Sequence, residues 1–264
     1  MQDAGSGPGQ DLFPTERAAL ILDRLRAHGQ VRATVLAQEL RTSEHTIRRH
    51  LHDLAAAGLC KRVYGGALLM SPASGKLSDR MDQAADRKAM LARTAASIVQ
   101  AGNIILMDAG STNAAIASAL PEHLDLTVVT NAPEVCARLC DRPGFQVILL
   151  GGQLSRDGGG TVGATPVLQL QPIKADIYFL GTCAFNPTEG ATVFNPEEAE
   201  LKRAMVRASG QIALAMTSEK LMSTAPFLVA PTSAVDYLVV ESGLPDAWLT
   251  DLKANCGIVL EAQP

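Results

Sequence analysis

Among the 264 residues there is no apolar run approaching the ~20 residues that a helix needs to cross a bilayer. The N-terminus also lacks a positively charged segment followed by an apolar stretch, which is the pattern of a secretory signal. These absences argue against a spanning helix and against export, and we expect a cytoplasmic protein. The first ten residues, MQDAGSGPGQ, hold too little apolar surface to offset the entropy of ordering them, so we exclude them from the predicted fold.

Cysteine is scarce, and its arrangement argues against disulfides and zinc. Five cysteines, an odd number, are scattered along the chain without a CxxC pair. Cys136 and Cys140 would lie one helical turn apart, but a zinc site needs two further ligands. We therefore expect reduced thiols and no metal.

The motifs that bind nucleotides are missing as well. There is no GxGxxG, and the DGGG run at residues 157–160 is not followed by Gly-Lys-Ser or Gly-Lys-Thr. Neither dinucleotide nor nucleoside triphosphate binding is indicated, and we expect no cofactor. We interpret the DGGG run as a flexible hairpin or loop.

What the chain does contain is enough apolar material for a folded core. Hydrophobic residues make up 47% of it and charged residues 19%, and its length favours two domains. The net charge of −4 gives no general reason to expect nucleic-acid binding. Residues 41–62, however, hold five basic side chains against two acidic ones, so positive charge is concentrated near the N-terminus.

Three helices are predicted in this N-terminal region. The first runs from Pro14 to Gly29, and the second covers residues 32–41. The third begins after Ser43, a good N-cap, and ends near Gly58. The second helix is expected to have one apolar side formed by Val35, Leu36 and Leu40.

The third helix has the pattern of a DNA-recognition helix. Ile47, Leu51 and Leu54 are spaced i, i+4 and i+7, so they form one buried stripe and turn the basic side of the helix toward solvent. Residues 59–70 then predict two short strands around Gly65 and Gly66, which is a wing. The residues predicted to contact DNA are Ser43, His45, Thr46, Arg48, Arg49, His52, Lys61 and Arg62. The alternative interpretation is a solvated helix face, but a purely structural hairpin does not need the Lys61 and Arg62 pair.

The stretch from Arg17 to Ala67, with its core SEHTIRRHLHDLAAAGLCKRVYGGA, resembles the DeoR-type winged helix-turn-helix. The signature of that family is a serine, then TIRRDL, then a wing that ends in GGA. The chain departs from it at His50, where the family usually has aspartate, so a local charge contact is expected to be missing. The resemblance implies a transcription regulator that binds operator DNA.

The rest of the chain predicts a mostly parallel α/β domain. A long helix is expected from about Arg80 to Gln100, and helical patterns then alternate with the apolar strands NIILMDAG, LTVVT, FQVILLGG, ADIYFLGT, QIALAMT and VDYLVVE. The predicted domains are a winged helix-turn-helix over 13–70, a linker over 71–79 and a sensor domain over 80–260.

Ligands of such domains bind beyond the carboxyl ends of the strands, where short loops open helices. The DAGST run at residues 108–112 suits a phosphate, because its glycine lets the backbone come close and the following helix offers amides and hydroxyls. The residues predicted to bind an effector are Asp108, Gly110, Ser111, Thr112, Thr130, Asn131, Gly151, Gly152 and Lys220. One such loop serves turn geometry about as often as binding, but several loops together favour a site.

The resemblance extends over this domain. It includes Arg80, Lys88, the DAGST run, the TN pair, LLGG, the GT pair at 181–182 and NPEEAELKRAM, and it is similar to the DeoR sensor domain. That domain is related in fold to ribose-5-phosphate isomerase, which implies a phosphorylated sugar or polyol as effector. The chain departs from the family pattern at Cys183, Ala184, Thr217, Val240 and Glu241.

Three functions remain open at this point. The first is a repressor of a sugar or polyol catabolic operon that acts as a homo-oligomer, dimer or tetramer, and is relieved by the effector. The second keeps DNA binding but makes the C-terminal domain an oligomerisation scaffold without a ligand. The third, a sugar-phosphate isomerase, is disfavoured, because the loop after Gly181 lacks the carboxylate or histidine that proton transfer needs. Glu198 and its acidic neighbours are interpreted as the first turn of a helix.

Overall fold

The computed structural model describes residues 13–71 and 76–263. The prediction that the first ten residues stay outside the fold therefore lies outside the described residues, as does the middle of the predicted linker. The proposed boundaries of the linker remain a prediction.

The N-terminal region forms three helices and three strands, as a winged helix-turn-helix requires. They are α1 (Pro14–His28), β1 (Gln30–Arg32), α2 (Ala33–Glu39), α3 (Glu44–Ala56), β2 (Cys60–Val63) and β3 (Gly66–Met70). The antiparallel pair of β2 and β3 confirms the predicted wing hairpin. Strand β1, which the sequence did not reveal, pairs with β3.

Helix α3 forms as its sequence predicts. The hydroxyl of Ser43 accepts a hydrogen bond from the backbone N–H of Thr46 at 3.1 Å and so satisfies one free donor of the first turn. Ile47, Leu51 and Leu54 are buried together with apolar residues of α1 and α2. The helix is therefore held rigidly by one face, which leaves the opposite face available.

The C-terminal region contains the remaining helices and strands. They are α4 (Leu77–Met81), α5 (Ala85–Ala96), β4 (Ile104–Met107), α6 (Ser111–Ala119), β5 (Leu126–Thr130), α7 (Pro133–Leu139), β6 (Phe145–Leu149), β7 (Gln153–Leu154), β8 (Thr161–Val162), α8 (Ala164–Leu170), β9 (Ala175–Phe179), β10 (Ala184–Asn186), β11 (Gly190–Val193), α9 (Pro196–Arg207), β12 (Ser209–Ala215), β13 (Ser223–Thr224), β14 (Phe227–Ala230), β15 (Tyr237–Glu241), α10 (Asp246–Asn255) and β16 (Ile258–Ala262). Short 3-10 turns occupy Glu122–Leu124, Ser218–Lys220 and Thr232–Ala234.

Seven of these strands form one parallel sheet in the order β16-β15-β12-β9-β4-β5-β6. Six of them are the predicted strands, which confirms the α/β class. Strand β16 and a small antiparallel sheet of β10, β11 and β14 were not predicted from the sequence. The DGGG run lies in the loop of the β7–β8 hairpin.

Side chains of the central strand β4 show why the sheet is buried on both faces. Ile105 and Met107 enter the apolar cluster that includes α5 and α6, whereas Leu106 enters the cluster on the other side, with α9. A strand covered on both faces is apolar at every position rather than at alternate ones. The continuous apolar runs in the sequence have this cause.

Two helix predictions were wrong in detail. The long helix expected from Arg80 to Gln100 is broken into α4 and α5, because Ala84 between them adopts a left-handed conformation with φ of 52°. In α2, Val35 is 54% exposed although it was assigned to the apolar side. Leu36 and Leu40 are buried as predicted, and Val35 is not, since adjacent helical residues point about 100° apart.

The two regions share one sheet. Strand β3 of the wing pairs in parallel with β13, with Leu69 opposite Ser223 and Met70 opposite Thr224. Gly29, at the end of α1, lies so close to this segment that a Cβ atom would come within 2.1 Å of the Met222 carbonyl oxygen. Its φ of 72° is also typical of the left-handed residue that ends a helix. Both the close approach and the backbone conformation therefore favour glycine at this position.

Candidate functional sites

A groove lies between the recognition helix α3 and the wing. Its volume is about 420 Å³, and Arg48 and Arg62 contribute to its walls. Arg62 Nη1 lies 3.4 Å from His52 Nδ1, so the wing and the helix meet through polar side chains. His45 and Arg49 are exposed on the same helix, and Tyr64 at the tip of the wing is fully exposed. Helix and wing thus present a basic, solvent-facing surface of the kind that enters a major groove.

Lys61 does not join this surface. Its Nζ lies 2.9 Å from Glu189 Oε2 in the C-terminal region. Neighbouring residues of a strand point to opposite faces, so Lys61 and Arg62 cannot both face the recognition helix. Arg62 therefore lies on the basic surface beside the recognition helix, whereas Lys61 forms a contact between the two regions.

His50, the departure from the family signature, is buried. Only 4% of it is exposed, and its Nε2 atom is enclosed without a hydrogen-bond partner among the described residues. Burial lowers the pKa of His50, and the nearby cations Arg17 and Arg49 lower it further. At neutral pH an uncharged imidazole thus replaces the acidic group of the signature.

A cavity opens at the carboxyl ends of β4 and β9. The chain reverses its direction across the sheet between these two strands, which is the position where open α/β sheets bind ligands. We call it the anion cavity. Its polar walls come from five elements or loops and include Arg80, Ser111, Thr112, Thr182, Glu198 and Lys220.

The groups in the anion cavity suit a phosphate. Helix α6 begins at Ser111, so its free amides face the cavity. Thr112 is buried with its hydroxyl unpartnered, and Arg80 Nε is likewise buried without a partner among the described residues. The pKa of Lys220 is lowered to about 8; burial is the main cause, Arg80 and Lys88 act in the same direction, and Cys183 acts in the opposite direction. A bound anion would relieve the crowding of cations around Arg80 and Lys220.

Lys88 holds Arg80 in place rather than facing the ligand space. Its ammonium donates to the backbone carbonyls of Arg80 and Gln83, at the end of α4. These hydrogen bonds stabilise the break between α4 and α5, where a continuous helix was predicted. The break matters for the site, because Arg80 of α4 lines the anion cavity.

Beneath the cavity lies a buried ionic network centred on Asp108. Lys202 Nζ is 2.6 Å from Asp108 Oδ2, and both side chains are at most 2% exposed. The Tyr178 hydroxyl and the Gly181 amide also donate to this carboxylate. Burial raises the pKa of Asp108, although the charge of Lys202 opposes that rise. Asp108, predicted as an effector ligand, is thus already saturated and organises the ends of β4 and β9.

Four other predicted effector residues do not line the anion cavity: one lines a neighbouring cavity, and three line neither. Asn131 lines a second cavity beside the first. The Thr130 hydroxyl accepts from the Ala132 amide and is completely buried, so it shapes the turn after β5. Gly151 donates its amide to Gln169 Oε1 at 2.8 Å, and neither it nor Gly152 lines the anion cavity.

Arg80, Glu198 and Lys202 belong to the site but were not predicted from the sequence. Glu198 was interpreted as a helix first turn, yet it lines both cavities. One signal was present, because residues 198 and 202 are spaced i and i+4 on one helical face, with opposite charges. Glu198 thus provides a carboxylate in the cavity, where the loop after Gly181 has none.

Of the departures from the family pattern, only Cys183 lines the anion cavity. Thr217 donates its hydroxyl to Glu219 Oε1 at 2.8 Å. Glu241 accepts hydrogen bonds from Arg87 and from the Ser218 amide. Neither residue lines the anion cavity, and both form local contacts outside it.

The five cysteines are free thiols. Over 13–71 and 76–263, no three or more histidine, cysteine, aspartate or glutamate side chains are placed to hold a metal ion. None of the helices in those ranges combines the length and the hydropathy that crossing a membrane demands.

Comparison with known proteins agrees with both regions of the structure. Residues 17–73 match the DeoR-like helix-turn-helix domain, and residues 83–242 match the DeoR C terminal sensor domain. A protein of Escherichia coli O157:H7 named for repression of the aga operon is 30% identical, over 97% of this chain and 97% of that protein. The transcriptional repressor GlcR of Bacillus subtilis (strain 168) is 28% identical over 94% of this chain and 96% of its own length.

The glycerol-3-phosphate regulon repressor of Escherichia coli (strain K12) is 29% identical over 88% of this chain and 92% of its own length. Among solved structures, ribose 5 phosphate isomerase A from Neisseria gonorrhoeae matches with a TM-score of 0.39 and 16% identity, over 52% of this chain and 54% of that one. This structural likeness is too weak to carry a conclusion. The matched domains and the full-length relatives show that the chain belongs to the DeoR family of transcriptional regulators.

Proposed function

We propose that the protein represses a sugar or polyol catabolic operon in the cytoplasm and that a phosphorylated sugar or polyol relieves the repression. The observation that carries this proposal is the anion cavity, where Arg80, Lys220 and the start of α6 converge around unpartnered polar atoms. The relatives are named as repressors of the aga operon and of the glycerol-3-phosphate regulon, which supports the same class of regulated gene. We propose no enzymatic activity, since the relatives are regulators.

The recognition surface is proposed to read the major groove with α3 while the wing contacts the backbone. Arginine can pair with guanine in two hydrogen bonds or bind phosphate, and Arg48 stands in the groove next to the wing. One such module covers only a half-site, so we propose that two or more copies of the chain bind a symmetric operator. Sedimentation of the chain with and without operator DNA would measure the number of copies.

Effector binding is proposed to reach the DNA-binding region through the loop after β9. On one side of this loop, Lys220 Nζ donates to the Thr182 carbonyl at 3.1 Å, next to the anion cavity. On its other side, the Ser71 hydroxyl donates to the Cys183 carbonyl at 2.6 Å. An anion that draws Lys220 away from the Thr182 carbonyl would move the loop after β9. This movement would alter the hydrogen bond between Cys183 and Ser71, which follows the wing strand β3. Two half-sites would then no longer fit both recognition helices.

A second connection runs through α4, which begins within the predicted linker. The Leu77 amide donates to the Asp157 carbonyl at 2.8 Å, and its side chain packs against Gly159. Arg80, one turn later, lines the anion cavity. A phosphate that binds Arg80 would therefore act directly on the segment that joins the two domains.

The test is fluorescence anisotropy on DNA from upstream of the transcription unit of the protein, at fixed salt, against scrambled DNA of equal length. We expect selective binding that one member of a sugar monophosphate panel relieves. Selective binding that no member alters would favour the scaffold alternative, provided that none of them raises the melting temperature either. Binding without selectivity would overturn the repressor proposal and bring the isomerase alternative forward.

Two substitutions should separate the functions of the two domains. Arg48→Ala is expected to weaken operator binding about tenfold to a hundredfold, because a base or phosphate contact is lost. Ser111→Ala should leave operator affinity unchanged and weaken the response to the effector. The matched control is Arg24→Ala, which removes an arginine of the same domain that pairs with Glu39 away from the recognition surface. If Ser111→Ala abolishes DNA binding in a folded protein, the assignment of roles is wrong.

A further inference from the structure

The seven-stranded sheet ends at strand β6, whose outer side pairs with no other strand among the described residues. Its sequence, FQVIL, contains neither a charged residue nor a proline, although natural proteins use both to keep an exposed edge from pairing with another chain. The strand at the other end of the sheet, β16, is protected in this way, because it contains Glu261, which lies 3.4 Å from Lys253. Strand β6 is therefore the edge that is open to a further strand.

Exposed apolar surface is concentrated around the same edge. Of the six large apolar side chains exposed in the described C-terminal region, four lie on β6 or on the elements that adjoin its end, namely Ile148, Leu149, Leu154 and Leu168. Leu154 belongs to β7, the next strand along the chain. Helix α8, which contains Leu168, is tied to the end of β6 because the Gly151 amide donates to Gln169. We call β6 together with Leu154 and Leu168 the β6 edge. Apolar surface gathered at one place is typical of an interaction site.

The backbone of β6 presents a symmetric set of hydrogen-bonding groups. The Leu150 amide donates to a carbonyl of β5 at 2.7 Å, and the Gly144 carbonyl accepts from an amide of β5 at 2.8 Å, so the even-numbered residues face β5. Alternate residues of a strand direct their N–H and C=O groups to opposite sides. The outward groups are therefore those of Phe145, Val147 and Leu149, which are evenly placed about Val147.

A second copy of the chain matches this set. Antiparallel pairing of two β6 strands about a twofold axis at Val147 places Val147 opposite its own copy and Phe145 opposite Leu149. Each of these pairs exchanges two hydrogen bonds, so every outward group of the strand gains a partner. Residues 143–155 contain no charged residue, so the two strands meet without opposing like charges and without removing a charge from water.

The apolar side chains extend this contact beyond the strand. A stable interface engages about 20–30 residues on each side, which is more than the five residues of β6 supply. Leu154 and Leu168 add apolar surface next to the strand, and their side chains are 54% and 58% exposed. Removing such surface from water stabilises an association that the backbone hydrogen bonds orient.

We propose that two copies of the chain associate through the β6 edge, antiparallel and about a twofold axis at Val147, so that their two seven-stranded sheets become one continuous sheet. This inference deepens the proposed binding of a symmetric operator by two copies and rests on it for the choice of partner. In each copy β3 is joined to β13, so the same axis relates the two recognition helices, as an operator with two half-sites requires.

The first experiment is sedimentation equilibrium of the full chain without DNA, which measures the dissociation constant of the dimer. Ile148→Lys should raise this constant about tenfold or more, because a lysine on the edge must lose water when the strands pair. The matched control is Ile258→Lys, which changes an exposed isoleucine of the other edge strand, β16, and should leave the constant unchanged. Circular dichroism and the melting temperature establish that both variants are folded.

The second experiment tests the register by disulfide formation and needs no loss of association. Gln146 of one copy lies opposite Ile148 of the other as a non-hydrogen-bonded pair with Cα atoms about 4.5 Å apart, a distance that a disulfide can span. Identical residues of the two copies are diagonal neighbours about 7–8 Å apart, which is too far.

Gln146→Cys and Ile148→Cys are prepared separately, each with Cys140→Ser to remove an exposed native thiol. The two variants are mixed under reducing conditions, so that copies can exchange, and then treated with oxidised glutathione. We expect a covalent dimer on a non-reducing gel from the mixture, and about tenfold less from either variant alone.

Three results would overturn the proposal. An unaltered chain that remains monomeric would leave the β6 edge to a different partner. Equal dissociation constants for the unaltered chain and Ile148→Lys would place the contact between copies elsewhere, and equal cross-linking in the mixture and in the single variants would exclude the antiparallel register. The proposed repressor function is judged separately by operator binding. It stands if the unaltered chain binds its operator selectively, even where the β6 edge proves not to be the interface.

Discussion

Replacement of Lys202 by methionine is expected to destabilise the protein by about 3–5 kcal/mol, because it leaves Asp108 charged and buried without its cation. Burial by itself lowers the pKa of Lys202, but Asp108 and Glu198 outweigh it and raise that pKa, so the lysine is charged at neutral pH. The Tyr178 hydroxyl cannot compensate, since its single hydrogen bond carries no charge. The measurement is the free energy of unfolding in urea, followed by circular dichroism.

A second lysine provides the control for this experiment. Lys253 lies 3.4 Å from Glu261, but its side chain is 54% exposed, so Lys253→Met should cost less than about 1 kcal/mol. The double variant Asp108→Asn with Lys202→Met should be more stable than the sum of the single effects by about 1–3 kcal/mol. Equal costs for Lys202→Met and Lys253→Met would show that the buried pair does not hold the ends of β4 and β9 together.

Effector affinity is expected to fall as the pH rises above about 8. Burial holds the pKa of Lys220 at about 8 in the unliganded protein, and an anion would raise it. Below pH 8 the lysine is charged before binding, whereas above it binding must take up a proton. Affinity should therefore decrease by up to about tenfold per pH unit above 8, until the pH reaches the higher pKa of the complex. Titration calorimetry of the tightest monophosphate between pH 7 and 9.5, at constant ionic strength, measures this slope.

Lys220→Met tests whether this residue causes the slope. The variant should bind the monophosphate about a hundredfold more weakly at pH 7, and its affinity should no longer change between pH 8 and 9.5. Lys253→Met serves again as the control and should retain both the affinity and the slope. A slope that survives in Lys220→Met would assign the titration to another group and show that the charge of Lys220 does not control anion binding.

Local patterns were sufficient to predict the recognition helix and the wing. The Ser43 cap, the stripe of Ile47, Leu51 and Leu54, and the glycines of the wing each act over a few residues, so they can be recognised without the fold. The six apolar strands were predictable for a similar reason, since a strand buried on both faces has no polar positions. The break at Ala84 was not predictable, because the helical sequence pattern continues across it. The contacts of Lys88 that stabilise the break are visible only in the folded structure.

The candidate site was predictable only in part. Ser111, Thr112 and Lys220 follow strands directly, and the carboxyl ends of parallel strands share one edge of the sheet. Asp108 was chosen by the same rule, but its oxygens are taken by Lys202, Tyr178 and Gly181. Whether a polar atom is free or already bonded depends on residues distant in sequence, and here about 70 to 94 positions separate them.

The sequence by itself determined the family, the two kinds of domain and the basic recognition helix, because these depend on motifs and on periodicity within single elements. The tertiary structure decided which charges are available. Strand alternation and the joining of β3 to β13 turn Lys61 toward Glu189 and leave Arg62 beside the recognition helix. The packing of α9 against the sheet commits Lys202 to Asp108 and brings Glu198 to both cavities. Charge can be counted in a sequence, but its partners are set by distances that only the folded chain defines.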